Sequence, residues 1–161
     1  MKIKNLNELA REIIEKNQYV TIATSNAKGE VWISPVVYTY DKDWNFYFLS
    51  MPSSKHCKNV EVNSDVAIAI FDSTQPWGEG VGLQIEAKVQ TLKLSDYPKV
   101  IKLYALRKYP YGGIKTDRAL KFAKSMVTQG KIYKIYKIIP RVVWINDPNS
   151  DKDVRIEINL K

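Results

Sequence analysis

From Gly82 to Leu92 the chain reads GLQIEAKVQTL, with an apolar residue at every second position. Leu83, Ile85, Ala87 and Val89 share one face, and Gln84, Glu86 and Lys88 share the other. A period of two belongs to a strand, because successive side chains of an extended backbone point to opposite faces. A chain built this way must bury one face of a sheet. The pattern recurs in QYVTIATS, with Val20, Ile22 and Thr24 on one side. KIYKIYKIIP, where a lysine interrupts the apolar residues at every third position, also reads as a strand. RVVWIN is a candidate continuation of that segment, and VRIEINL is a further strand.

Turn chemistry joins these strands in sequence. NAKG, Asn26 to Gly29, separates QYVTIATS from EVWISPVVYTYD, and the two read as a hairpin. DKDWN leads on to FYFLS. DVAIAIFD is a fourth strand, and the Gly- and Pro-rich loop STQPWGEGVG introduces the fifth. Pro35 lies inside the second strand. It has no N–H for a ladder, so its position predicts an edge, a bulge or a place where a ligand lies. Helical spacing appears at the start, with Leu6, Leu9, Ile13 and Ile14 on one face. It returns in LSDYPKVIKLYALRKY, with Ser95 as a cap, and in TDRALKFAKSMV, with Thr116 or Asp117 as a cap. The expectation is a mainly β, α+β protein. Its antiparallel sheet closes into a small barrel with helices packed outside, in a single domain over 1–161 with a helical insertion at about 95–127.

Composition excludes several functions. The one cysteine, Cys57, permits no intrachain disulfide and no multi-cysteine metal site, and the one histidine, His56, permits no two-histidine metal motif. No apolar run approaches the ~18 residues that cross a membrane. The N-terminal segment lacks a signal peptide's apolar core, so a cytoplasmic location is expected. No paired carboxylates, no Ser-His-Asp set and no dinucleotide fingerprint is present; GEGVG does not follow a strand and open a helix. The formal charge of +8 suits a solvated basic surface, a phosphate-bearing ligand or nucleic acid.

One junction concentrates chemistry. After FYFLS comes SMPSSKHCKNVEVNSDV, with Ser50, Ser53, Ser54 and Lys55 just ahead of a short helix. Ser53 or Ser54 suits a helix cap. Unpaired N–H groups and partial positive charge at a helix start, joined by hydroxyls and a lysine, make a pocket for a dianion such as phosphate. An ordinary capped helix with a solvent-facing lysine accounts for the same residues.

The order of the hairpin, FYFLS, the serine-lysine turn, DVAIAIFD and WGEGVGLQIEAKVQTL, from about Tyr19 to Leu92, resembles the FMN-binding split-barrel family of pyridoxamine 5′-phosphate oxidase-like proteins. The resemblance implies a six-stranded split β-barrel that binds FMN, acts as an oxidoreductase and forms a homodimer with the flavin at the subunit interface. By the same resemblance Lys55, Ser50, Ser53 and Ser54 hold the 5′-phosphate. Ser34, Pro35 and Val36 run along the isoalloxazine ring, Gln84 reaches the cofactor, and Trp144, Trp77 or Arg141 approaches from the partner. The chain departs from the oxidase proper near its C-terminus, where DVRIEINLK supplies Arg155 but no histidine. The oxidase reaction itself is therefore not expected, and no catalytic residue is assigned. His56 reads as a surface or capping residue and Cys57 as a small core residue. A flavin-binding sensor or stress protein, and a barrel that binds single-stranded nucleic acid, are the competing readings.

Overall fold

The computed structural model describes residues 5–110, 112, 133–150 and 152–160. Seven strands and three helices follow in order: α1 (Leu6–Lys16), β1 (Tyr19–Ser25), β2 (Val31–Tyr40), β3 (Phe46–Ser50), α2 (Lys55–Val62), β4 (Asp65–Phe71), β5 (Gly82–Thr91), α3 (Tyr97–Leu106), β6 (Lys134–Asn146) and β7 (Arg155–Ile158). The sheet order is β3-β2-β1-β4-β5-β6-β7, and β3 also pairs with β6. That last pairing closes six antiparallel strands into a barrel, as expected, and leaves β7 as an addition outside it. The segment TDRALKFAKSMV lies outside the described residues.

One strand makes both closures. β6 is continuous from KIYKII through RVVWIN. Its first part pairs with β3, from Lys134 opposite Ser50 to Ile138 opposite Phe46. Its last part pairs with β7, from Val143 to Asn146. The switch falls at Pro140 and Arg141, where the register with β5 also slips between Glu86 and Ala87. Proline suits a bulge because no ladder hydrogen bond is lost there. A cavity of about 580 Å³ opens at this split, lined by Trp44, Pro140, Arg141 and Glu157 among others.

The alternating residues fill the barrel. Val20, Ile22, Ile68, Ile70, Leu83, Ile85, Ile138 and Ile145 are all buried in one cluster. Each such side chain contributes about 1.5–3 kcal/mol when withdrawn from water. Two helices close opposite ends. Ala10 and Ile14 of α1 enter at one end, where Tyr38 donates from its hydroxyl to the Ile14 carbonyl at 2.6 Å. Cys57 and Val60 of α2 enter the core beside the far end of β1, where Asn59 donates to Thr24 Oγ1 at 3.0 Å. Asn63 secures the same helix by donating to Ser25 Oγ at 2.9 Å. β3 breaks the alternation, because α3 covers its outer face: Tyr47 and Ile135 are buried against Val100 and Tyr104. The cap of α3 is Asp96 rather than Ser95, since Leu94–Asp96 coil into a 3₁₀ turn ahead of the helix. Pro98 then sits in the first turn, where its missing N–H costs nothing.

The β2–β3 turn is organised by the buried Asp41 carboxylate. It accepts from the backbone of Asp43 and Asn45 at 2.9 and 3.0 Å and from the Tyr47 hydroxyl at 2.7 Å. Trp44 adopts φ 62, a conformation costly for a bulky residue, and stacks on Tyr40 at 5.3 Å between centroids. Burial pushes the Asp41 carboxyl up, but hydrogen bonds from Tyr47, Asn45 and Asp43 outweigh it and hold the group below the usual carboxylate range. The stability this contributes is complete above the unfolded value of ~3.9 and is lost as pH falls through the folded value. Asp41→Asn is expected to cost about 1–3 kcal/mol in urea unfolding at neutral pH. It should also flatten the acid limb of the stability profile; an unchanged limb would show that Asp41 does not set it.

Candidate functional site

β2 pairs with β1 from Val31 to Val37, yet with β3 only from Tyr38 to Tyr40. Among the described residues its first half therefore has a free edge. Tyr38 N–H donates to Gln18 O on the β1 side. Alternation then directs even-numbered backbone groups of β2 towards β1 and odd-numbered ones away. Pro35 falls on the open side, so its missing N–H breaks no ladder, and the strand offers its carbonyl there without an adjacent donor. At Val37, the last open position, the carbonyl accepts from the Tyr104 hydroxyl at 3.1 Å.

The start of α2 faces this open half. Ser54 occupies the N-cap, but its side chain makes no capping hydrogen bond, which corrects the capping expectation. Its hydroxyl instead lies 3.2 Å from Ser50 Oγ and 3.2 Å from His56 Nε2. Ser50 Oγ approaches the same nitrogen at 2.7 Å. Ser34 Oγ lies 3.1 Å from His56 Nδ1 and accepts from Trp32 Nε1 at 3.0 Å. Lys55 holds its ammonium 4.3 Å above the Trp32 ring.

The structure thus brings Ser34, Ser50, Ser54 and Lys55 to one place. It adds two residues that the sequence did not place at the site. Trp32 carried no signal beyond its aromatic type. His56 is half-buried between two strands rather than a surface or capping residue; only its position beside Lys55 hinted at this. Ser53 is exposed and makes no side-chain hydrogen bond among the described residues. Val36 points into the core, while Pro35 is exposed on the opposite face. Gln84 and Trp144 are cross-strand neighbours on the outer face of β5 and β6, and Arg155 donates to Gln84 Oε1. They do not join the serine cluster. Arg141 pairs with Asp65 at 2.9 Å, and Trp77 is fully exposed on its loop.

Electrostatically, the start of α2 is the reverse of α1. α1 has a side-chain cap from Asn5, Glu8 in its first turn and Lys16 in its last, as a helix dipole favours. α2 has no acid in its first turn and begins with Lys55. Uncapped N–H groups, a lysine and convergent hydroxyls form a donor set that matches the oxygens of a phosphate monoester. Beneath it the Tyr136 hydroxyl is fully buried without a hydrogen-bond partner. It lies by Cys57, whose thiol burial pushes up but which His56, Ser54 and Ser50 together hold below its ordinary value. Burial and the neighbouring thiol push the Tyr136 phenol up. Among the described residues no group of histidine, cysteine and carboxylate side chains suits a metal ion. No helix among them is long and apolar enough to cross a membrane.

A closed six-stranded antiparallel barrel with an extra strand and helices packed on it defines a split-barrel protein. The chain matches the family model described as pyridoxamine 5′-phosphate oxidase over residues 6–125, and it belongs to that family. No curated protein sequence matches it. Solved structures share the fold at low identity. The heme storage protein HutZ of Vibrio cholerae superposes with a TM-score of 0.66 at 16% identity, covering 85% of this chain and 91% of that one. ChuZ of Campylobacter jejuni gives 0.73 at 16%, covering 98% of this chain and 61% of that one. An F420 reductase gives 0.56 at 16%, covering 83% and 94%.

Cys57 is fully buried, so its lowered thiol should still be inert in the folded protein. A small disulfide reagent is expected to leave it unmodified in native buffer and to modify it completely in denaturant. Rapid native labelling would show that α2 opens readily.

Proposed function

We propose that the protein binds FMN, with its phosphate at the start of α2 and its ring along the open half of β2, and acts as an oxidoreductase. The observation that carries this reading is the uncapped, acid-free, lysine-bearing helix start that faces Ser50 and Ser54. Positive charge at that end of a helix is unfavourable until an anion arrives. The exposed Lys55 ammonium lies over the Trp32 ring, a contact that biases it towards the turn. Bound FMN would supply the electron or hydride transfer. The chain's own contribution is to grip the phosphate with Lys55, Ser50 and Ser54, to present the Pro35 carbonyl to the ring's polar edge, and to shield one side with Trp32.

We further propose a homodimer with the flavin at its interface. The outer face of β2, β1 and β4 carries Ile33, Tyr19 and Phe71 at 61%, 52% and 54% exposure, set around Ala23, Ala67 and Ala69. Such a largely apolar face, with Asp65 and its ion pair only at the far end of β4, suits a second copy of the same chain. Depressions of about 500 and 310 Å³ flank Phe71. Register aligns Pro35, Thr21, Ala69, Gln84 and Trp144 in one row across this face. Three strand spacings separate Pro35 from Gln84, ~14 Å. A second copy would bring its own Gln84 and Trp144 to the flavin more readily than the same chain could.

Other ligands are less well supported. Both ring nitrogens of His56 are engaged by serine hydroxyls, so the one histidine is not free to ligate a heme iron. The aromatic strand residues Phe46, Tyr47, Phe48 and Tyr136 are buried and offer no platform on which bases could stack.

The purified protein is expected to show flavin absorption, or to acquire it on titration with FMN. Lys55→Ala should weaken FMN by about 1.5–3 kcal/mol, the value of a charged hydrogen bond. Equal affinity would remove Lys55 from the phosphate site. Ile33→Glu with Phe71→Glu should convert a dimer to a monomer in sedimentation. A wild-type monomer at high concentration would end the interface assignment.

A further inference from the structure

We infer that Trp32, Ser34 and His56 form a polarised hydrogen-bond relay that turns the Ser50 and Ser54 protons outward, making the turn selective for a phosphate monoester over an uncharged alcohol. This rests on the FMN reading and assigns the specificity of that site. The direction of the relay follows from donor and acceptor counting. An indole nitrogen only donates, so Trp32 Nε1 fixes Ser34 Oγ as its acceptor. Ser34 is buried, and among the described residues its own proton has one acceptor within reach, His56 Nδ1 at 3.1 Å. An accepting Nδ1 places the imidazole proton on Nε2, because the bond at one ring nitrogen sets the other. Nε2–H then donates into the Ser50 and Ser54 oxygens, at 2.7 and 3.2 Å.

Both seryl oxygens are thereby satisfied as acceptors. One hydroxyl proton can serve the 3.2 Å contact between the two serines, and the other points out of the cluster. When a phosphate oxygen arrives, both protons turn to it while Nε2–H remains behind them. The opposite tautomer would take the Ser50 proton for Nε2 and leave Ser34 with two incoming donors and an idle proton of its own. The other groups at the cluster do not compete. The Cys57 thiol lies within reach of His56, Ser54 and Ser50 but is only a weak donor and acceptor, and the Tyr136 hydroxyl has no hydrogen-bond partner among the described residues. Lys55, engaged on Trp32, supplies charge from the solvent side. His56 is thus a positioning residue, acting on the phosphate through two serines.

The sequence makes the test direct, since the chain has a single histidine. Long-range proton–nitrogen NMR of labelled wild-type protein is expected to show neutral His56 as the Nε2–H tautomer, and Trp32→Phe with Ser34→Ala to abolish that preference. His56→Ala should weaken FMN about two- to tenfold, the loss of an ordinary hydrogen-bonded contact, while riboflavin affinity stays unchanged. His56→Gln, which restores a donor near the Nε2 position, should recover part of the loss. Inorganic phosphate should shift the Nε2 signal of the wild type. An Nδ1–H tautomer overturns the relay whatever the flavin results. So does an equal loss of FMN and riboflavin, which a merely structural histidine would produce. Wild-type protein that binds neither FMN nor inorganic phosphate overturns the cofactor reading itself, and the phosphate selectivity with it.

Discussion

Everything at the candidate site depends on how early β2 and β3 part. They share only the pairs from Tyr38 to Tyr40, although β2 runs on to Val31 in the other direction. β3 is short, and it gains its second neighbour from β6 instead. The chain leaving Ser50 is then free to turn across the unpaired half of β2 and start α2 there. Had β3 run on past Ser50 in register with β2, its ladder would occupy the edge that now carries Pro35. The start of α2 would lie beyond the end of β2, away from Ser34. The cost of leaving that edge unpaired is offset elsewhere. Tyr104 satisfies the Val37 carbonyl, and Arg107 donates to the Tyr38, Ile14 and Asn17 carbonyls while stacked among Tyr38, Tyr40 and Tyr109.

Rigidity at the site comes from beneath it. Asn59 and Thr24 bond inside the protein, and Thr24 donates on to the Trp32 carbonyl at 3.3 Å. That single chain of contacts joins α2, β1 and β2, the elements on which the serines, Lys55 and Trp32 stand. A buried amide left without its partner costs more than the bond it made contributes, so these contacts hold the helix in one position. The proposed phosphate turn is thus mounted on the barrel core, with Cys57 and Val60 as its apolar footing.

How much of this the sequence carried depends on the range of each interaction. The strands were legible from period-two alternation, to within a residue or two at β1, β4 and β5. Pro35 was legible as an edge residue because proline's missing N–H is a local fact. The serine-lysine turn was legible for the same reason. What was not legible is nonlocal. Ser34 and His56 are 22 residues apart. Their meeting depends on where β2 and β3 separate, which no local pattern encodes. Ser54 is spaced like a helix cap, yet a nearby imidazole outcompetes the helix for its hydroxyl. The partner switch of β6 at Pro140 looks in sequence like either one strand or two, because a bulge and a break share the same residue. Ser95 lost the cap of α3 to Asp96 through a 3₁₀ turn that shifts the helix start by one position.

The two ends of the barrel show why the same helix type can serve two purposes. α1 obeys the capping and dipole rules at each terminus, and its role is to seal the core with Ala10 and Ile14. α2 buries a comparable apolar footing, so it needed no departure from those rules to be stable. Its uncapped start, its leading lysine and its lack of an acid all work against stability of the isolated helix. Features that weaken a helix while the same helix seals a core elsewhere in the fold have a reason outside packing, and an incoming anion would remove all three penalties together. The relay behind Ser50 and Ser54 belongs to the same logic. Holding hydroxyl protons outward has no value to the empty turn, and it has value once an acceptor binds there.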